Sequence, residues 1–136
     1  ASGMVSGKGF GDNTRAALIT RGIAELTRLG VAKGANPETL MGLSGMGDLI
    51  LTCNSEQSRN FSLGLALGQG RSLDEILKSR KAVTEGVFSA RSVCMLADKL
   101  SVEMPICQGV NHILNEGGNI DHVIADLLSR PFKEEI

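Results

Sequence analysis

The sequence predicts an all-α fold, and three observations carry that prediction. Apolar residues recur at three- and four-residue spacing along most of the chain. Most of these runs open on a residue able to cap a helix and close at glycine or just before proline. No stretch alternates apolar and polar residues convincingly over the length of a strand. Read in order, the runs amount to about seven or eight helices with short connections.

Gly7, Gly9 and Gly11 in GKGFGDN, residues 7 to 13, read as a flexible entry segment. Asp12 or Asn13 can cap a helix whose apolar stripe is Ile19, Ile23 and Leu26; Arg15, Arg21, Glu25 and Arg28 fall mostly off that stripe. It should end near Gly30 or Gly34. Pro37 suits the first turn of a short helix through Leu40 and Met41, which Gly42, Gly45 and Gly47 interrupt. DLILTC, residues 48 to 53, has the length of a strand or a buried helix. Helix is expected, because no pairing strand or hairpin turn lies nearby.

Ser58 or Asn60 opens the next helix, through Phe61, Leu63 and Leu65 to Gly68. Ser72 caps another through Leu73, Ile76 and Leu77, with Glu75 spaced for a capping box. From Glu85 to about Leu100, Val87, Ala90, Cys94 and Ala97 keep helical spacing. Pro105 begins a helix carrying Ile106, Val110, Ile113 and Leu114, stopped by Gly117 and Gly118. Asn119 then caps Ile120, Val123, Ile124, Leu127 and Leu128, a stripe that closes before Pro131.

Composition bounds the function. A chain of 136 residues, 42% hydrophobic and 21% charged, is read as one globular domain over 1–136, able to bury roughly two thirds of its unfolded surface. With 14 basic and 15 acidic residues, no basic run, no Trp or Tyr and four Phe, it offers no nucleic-acid surface. Apolar runs stop at four or five residues, against the ~20 of a membrane span, and no signal peptide opens the chain. The beginning reads instead as the interior of a longer protein. Cys53, Cys94 and Cys107 form no C-x-x-C pair, so neither a disulfide framework nor a zinc site is expected, and a reducing cytoplasmic setting fits.

Candidate sites are few. Gly7, Gly9 and Gly11 are spaced wrongly for a dinucleotide fingerprint, and no strand precedes them. His112 and His122 stand ten residues apart without a neighbouring ligand, so no metal is expected. The stretch SGMGDLILTCNSEQSRN, residues 44 to 60, is different. In a helix starting near Gly47, Asp48 and Thr52 lie one turn apart, with Leu49, Ile50 and Cys53 buried. Arg59 followed by Asn60 at a helix start combines a guanidinium fork, an amide and free backbone N–H groups, a set that suits an oxyanion such as phosphate. The same spacing equally allows Asp48 to cap, Thr52 to bond back to a carbonyl and Arg59 to be solvated. Gly45 and Gly47 require either a positive φ or a close neighbour, and bare backbone beside Asp48 would admit a ligand. Glu85, in AVTEGV, stands at a helix start, where interaction with the helix dipole alone would account for it.

GFGDNTRAALITRGIAELTRLG, GLSGMGDLILTC, SRN, GLALGQG, EGVFSA and VEMPIC, in this order, resemble the C-terminal half of the bacterial-type NAD(P)-dependent glycerol-3-phosphate dehydrogenase family, from about Gly9 to Arg130. The resemblance implies an all-α substrate domain similar to the C-terminal domain of 6-phosphogluconate dehydrogenase. It also implies a Rossmann domain N-terminal to it in the same protein, and NAD or NADP as cofactor, bound mainly by that Rossmann domain, with no metal. The reaction implied interconverts dihydroxyacetone phosphate and sn-glycerol 3-phosphate in the cytoplasm and feeds phospholipid synthesis; a homodimer is compatible with it. Carried over residue by residue, the substrate-contacting aspartate falls on Asp48 and the threonine grouped with it, also in the catalytic set, on Thr52. The substrate and phosphate segment falls on Ser58, Arg59 and Asn60, and the cofactor contacts on Arg59, Val83 and Glu85. The family's catalytic lysine falls ahead of the first residue and is not Lys8, so this chain alone is expected to be inactive. Two further readings stay open: the substrate domain of another β-hydroxyacid dehydrogenase, and a non-catalytic helical interaction module.

Overall fold

A computed structural model describes residues 1–79 and 84–130, and among these every regular element is helical, with no strand. The elements are α1 Ser2–Gly7, α2 Asp12–Ala32, α3 Pro37–Leu40, a π-helical turn Leu43–Gly47, α4 Asp48–Asn54, α5 Arg59–Gly68, α6 Leu73–Ser79, α7 Thr84–Lys99, α8 Pro105–Asn115 and α9 Ile120–Ser129. The expected starts recur. The side-chain oxygens of Ser58, Ser72 and Asn119 accept the N–H of Phe61 (3.3 Å), Glu75 (3.2 Å) and His122 (3.1 Å), and Pro37 and Pro105 open their helices. At α2 the cap differs: Gly11 is the N-cap, and Asp12 is instead the first helical residue, paired with Arg15 at 2.8 Å.

Ahead of the exposed turn at residues 8–11, the chain opens on a packed helix, and the entry segment GKGFGDN begins at that helix's last residue, Gly7. Ser2, Gly3, Met4 and Val5 are buried in α1, which lies on α5 with backbones almost touching. A Cβ on Gly3 would stand 2.7 Å from the amide nitrogen of Leu65, and one on Gly64 would stand 2.9 Å from that of Met4. Gly7 and Gly68 exclude a side chain on each other in the same way, at 2.9 Å. These four glycines are the surface on which two helices meet, because only residues without a side chain allow this approach. Around that contact sit two apolar clusters. Leu63, Ala66, Ile76 and Leu114 form one, and Met4, Val5, Leu18 and Ile124 the other, with Leu67 of α5 packed against both.

The second departure concerns α2. Its expected stripe, Ile19, Ile23 and Leu26, is only half-buried; Leu18 and Glu25 are the buried residues of this helix. Glu25 is 3% exposed, and its carboxylate accepts the N–H groups of Ile106 (2.6 Å) and Cys107 (3.3 Å) in the first turn of α8. Met104, the N-cap of α8, supplies no side-chain cap, so the cap comes from another helix. Arg21 donates to the carbonyls of Leu127 and Arg130 (2.7 Å to the latter) at the end of α9. Arg28 donates through Nε (3.1 Å) and Nη2 (2.9 Å) to the carbonyl of Glu103. These charges serve the backbones of other elements.

Burial pushes the Glu25 carboxyl above its ordinary value; the two amide bonds and the neighbouring Arg28 charge oppose that shift without cancelling it. Burial, and then the Glu25 charge, push the Cys107 thiol up to about 12. Replacing Glu25 with Ala leaves two amides of α8 without their acceptor and is expected to cost about 1–3 kcal/mol in urea unfolding of the full-length protein. Glu25→Gln, which keeps an acceptor, should cost less. Because folding raises this carboxyl above 4.5, the folded state binds its proton more tightly; that stability is complete below pH 4.5 and is lost as pH rises through the folded value. The gap between wild type and Glu25→Gln should therefore move in favour of wild type on acidification toward pH 4.5, and a pH-independent gap would contradict the assignment.

Candidate functional site

The stretch that drew attention in the sequence forms two helices and the turn between them. α4 has seven residues, too few for a stable isolated helix, and is held from outside at both ends. At its start it continues from the π-helical turn, where a Cβ on Gly45 would collide with the Leu40 carbonyl group, 2.7 Å from the carbonyl carbon. The close neighbour that Gly45 requires is therefore the end of α3. Gly47 meets nothing nearer than 3.5 Å, the side chain of Leu43.

At the end of α4, Ser2 of α1 donates to the Cys53 carbonyl at 2.6 Å. Arg15 of α2 donates through Nε to Asn54 Oδ1 (3.1 Å), and Asn54 Nδ2 donates to the Ile50 carbonyl (2.8 Å). The other arms of the same guanidinium reach Ser6 Oγ (3.2 Å) and Asp12 Oδ1 (2.8 Å). Neither Arg15 nor Asn54 was singled out in the sequence. The only local signal was the three-residue step from Asp12 to Arg15, while the link to Asn54 spans 39 positions.

Between these anchors, Asp48 is exposed in the first turn of α4 and Thr52 is half-buried one turn on. The N-cap is Gly47, so Asp48 does not cap. Among the described residues neither its carboxylate nor the Thr52 hydroxyl has a hydrogen-bond partner, which removes the cap-and-back-bond alternative at both positions. Ile50, expected to be buried, is exposed, while Leu49 and Cys53 are half-buried. Burial pushes the Cys53 thiol up, away from a reactive thiolate.

A tight turn closed by the Ser58 N–H on the Ser55 carbonyl (3.1 Å) leads into α5, a helix in contact with α4. Ser58 is its N-cap, buried Phe61 anchors its first turn, and Arg59 and Asn60 are its first two residues, both exposed. Their side chains have no partner among the described residues, and their amides have no acceptor within the helix. Asp48 and Thr52 thus stand on one short helix, and Ser58, Arg59 and Asn60 at the start of the next helix, which touches it. Glu85 lies in the first turn of α7, but its side chain, like all of Val83, falls outside the described residues. Among the described residues no group of three or more His, Cys, Asp or Glu is placed to hold a metal ion, and no helix is long and apolar enough to cross a membrane.

Comparison with known proteins bears on this arrangement. A family model described as the C-terminus of NAD-dependent glycerol-3-phosphate dehydrogenase matches residues 1–125. Glycerol-3-phosphate dehydrogenase (NAD(P)+) of Parvibaculum lavamentivorans is 59% identical over 135 residues, 99% of this chain and 40% of that protein. The protein of the same description from Rhodospirillum rubrum is 57% identical over 135 residues, 99% of this chain and 39% of its own length. The crystal structure of a glycerol-3-phosphate dehydrogenase from Coxiella burnetii matches with a TM-score of 0.90 at 43% identity, covering 95% of this chain and 40% of that one. The chain therefore spans about 40% of the length of the proteins it matches.

The glycine of the π-helical turn supplies a test. Gly45→Ala drives a methyl group into the Leu40 carbonyl and is expected to destabilise the full-length protein by roughly 1–3 kcal/mol. Gly47→Ala, with room and an ordinary helical backbone, should be neutral or stabilising by up to roughly 1 kcal/mol. Thermal unfolding of the two variants distinguishes them, and equal losses would contradict the packing argument.

Proposed function

The chain belongs to the NAD-dependent glycerol-3-phosphate dehydrogenase family, and from that premise we propose that residues 1–136 are the helical substrate domain of an enzyme interconverting dihydroxyacetone phosphate and sn-glycerol 3-phosphate. A Rossmann domain, N-terminal to it in the same protein, completes the enzyme and binds most of the NAD(H) or NADP(H). The product feeds phospholipid synthesis. The observation that carries the reading is a carboxylate, Asp48, and a guanidinium, Arg59, each without a partner among the described residues, on two touching helices. The three thiols, all unpaired, fit a reducing cytoplasmic setting.

Each end of the substrate has its counterpart in this set. The phosphate is an oxyanion that Arg59 can grip with a charge-assisted fork, supplemented by the Asn60 amide and the first amides of α5. Ser58 uses its oxygen to cap Phe61 and keeps its O–H to donate to a phosphate oxygen. The hydroxyl of the substrate needs an acceptor, which the Asp48 carboxylate provides, with the Thr52 hydroxyl beside it on the same helix. Held at both ends, C2 cannot swing away from the line of hydride transfer, which is how positioning lowers the barrier. Arg59, exposed at the helix start, also suits the anionic part of a dinucleotide, and Val83 and Glu85 are assigned to the same partner. The dinucleotide, when bound, supplies or removes the hydride.

Steady-state kinetics of the full-length protein, followed by NADH or NADPH oxidation with dihydroxyacetone phosphate, tests this. Arg59→Ala removes a charge-assisted contact worth about 1.5–3 kcal/mol, so KM for the phosphate substrate and for the cofactor should rise roughly ten- to a hundred-and-fifty-fold. Asp48→Ala should lower kcat by about a hundredfold. Near-normal constants for both variants, or turnover only with a different β-hydroxy acid, would overturn the proposal.

A further inference from the structure

Arg15 has a feature that the proposed reaction does not use: its side chain is 26% exposed, and its donors engage three helices at once. We propose that Arg15, acting through Asn54, is a positioning residue that holds the α4 carboxylate and hydroxyl, Asp48 and Thr52, at their working distance from the phosphate-binding start of α5. The proposal rests on the substrate-site reading above.

The geometry distinguishes the two halves of the site. α5 is secured independently of α4, through buried Phe61 and Leu63 and through the backbone contact of Gly64 and Gly68 with α1. α4 has no buried residue. Its placement depends on polar contacts at its ends, and at its far end these converge on Asn54. A planar guanidinium presents donors in fixed directions, and here two arms are already taken by Ser6 of α1 and Asp12 of α2. The third, Nε, is therefore aimed, and it draws Oδ1 of Asn54 toward itself, which turns Nδ2 onto the Ile50 carbonyl of α4. The amide is thereby oriented by a group on another helix and closes the last turn of its own. Ser2 binds the adjacent Cys53 carbonyl. Thr52 lies two residues before this clasp and Asp48 six, so release of the clasp leaves the end of α4 held by the Ser2 bond to the Cys53 carbonyl alone among its polar anchors. α4 then shifts against α5, while the phosphate grip stays where it was.

The test separates the two halves. In the full-length protein, Arg15→Ala and Asn54→Ala should each lower kcat for dihydroxyacetone phosphate reduction by roughly ten- to a hundredfold, the scale of a misplacement near 1 Å. Inorganic phosphate, used as a competitive inhibitor, should retain its Ki in both. The double variant should be no slower than the slower single one, because the residues act as one unit. Asn54→Asp, which keeps the acceptor for Nε but loses the Nδ2 donor to the Ile50 carbonyl, should recover part of the kcat lost in Asn54→Ala and not all of it. A role that is only structural predicts instead that kcat, phosphate Ki and Tm deteriorate together; that result, or additive losses, or an unchanged kcat, would overturn the proposal. Should Arg15→Ala fail to fold, Asn54→Ala, at an exposed side chain, carries the same test. Arg59→Ala serves as the control. An unchanged phosphate Ki in that variant refutes the substrate-site reading itself, whereas a normal Arg59 response with silent Arg15 and Asn54 refutes only the clasp.

Discussion

The structure depends on one buried carboxylate and the charged groups that share its helix. Most helices here are short, and each leaves backbone groups unpaired at its ends. α2, at 21 residues, is the one element long enough to pass several of those ends. Glu25 takes two amides at the start of α8, Arg21 two carbonyls at the end of α9, Arg28 the carbonyl of Glu103 between α7 and α8, and Arg15 the end of α4. A carboxylate 3% exposed would be costly on its own. It is tolerated because charge-assisted bonds to N–H groups and a neighbouring arginine offset its desolvation, and because the same bonds replace the cap that Met104 cannot provide.

Packing supplies what polar anchoring cannot. The contact between α1 and α5 brings main chains together along two pairs of glycines, so that the position of α5 is set by atoms that have no rotamers to change. Leu67 then presents an apolar face to both clusters of the core. Because Arg59 and Asn60 stand at the start of this helix, that close backbone contact also fixes a helix start that carries a guanidinium. α4, by contrast, has no fully buried residue and is tied at its far end by hydrogen bonds from α1 and α2, with Asp48 exposed.

Local rules found what is locally caused. Ser58, Ser72 and Asn119 cap because the bond they make closes within three residues, and Pro37 and Pro105 begin helices because their own φ requires little else. The misread elements have non-local causes. α1 is six residues long with two glycines, and nothing in its own sequence says that Gly64 and Gly68 wait 61 positions away for Gly3 and Gly7. Glu25 and Arg21 look like solvent-facing charges until the backbone ends that they serve, 81 and 106 positions on, are in place. Gly45 was legible as a residue needing a close neighbour, but the identity of that neighbour depended on where α3 ended. Asp48 and Arg59 were legible as chemistry without being decidable as a site, since a cap and a ligand-binding group share the same spacing.

The two anchoring modes suit two different demands on a phosphate-ester substrate. A phosphate is large, symmetric and doubly charged, and a fixed helix start recognises it without needing fine adjustment. Orientation of a hydroxyl against a hydride donor is more exacting, since a displacement near 1 Å can cost about a hundredfold in rate. The groups assigned to that task stand on a helix whose far end is gripped, beside the Ser2 bond, by a guanidinium holding an amide, an arrangement in which direction as well as distance is specified. Hydrophobic burial, which is non-directional, could hold α4 in place but could not aim it. A polar clasp at the end of a short helix therefore gives the substrate hydroxyl an orienting partner, while the glycine-packed helix beside it carries the charge.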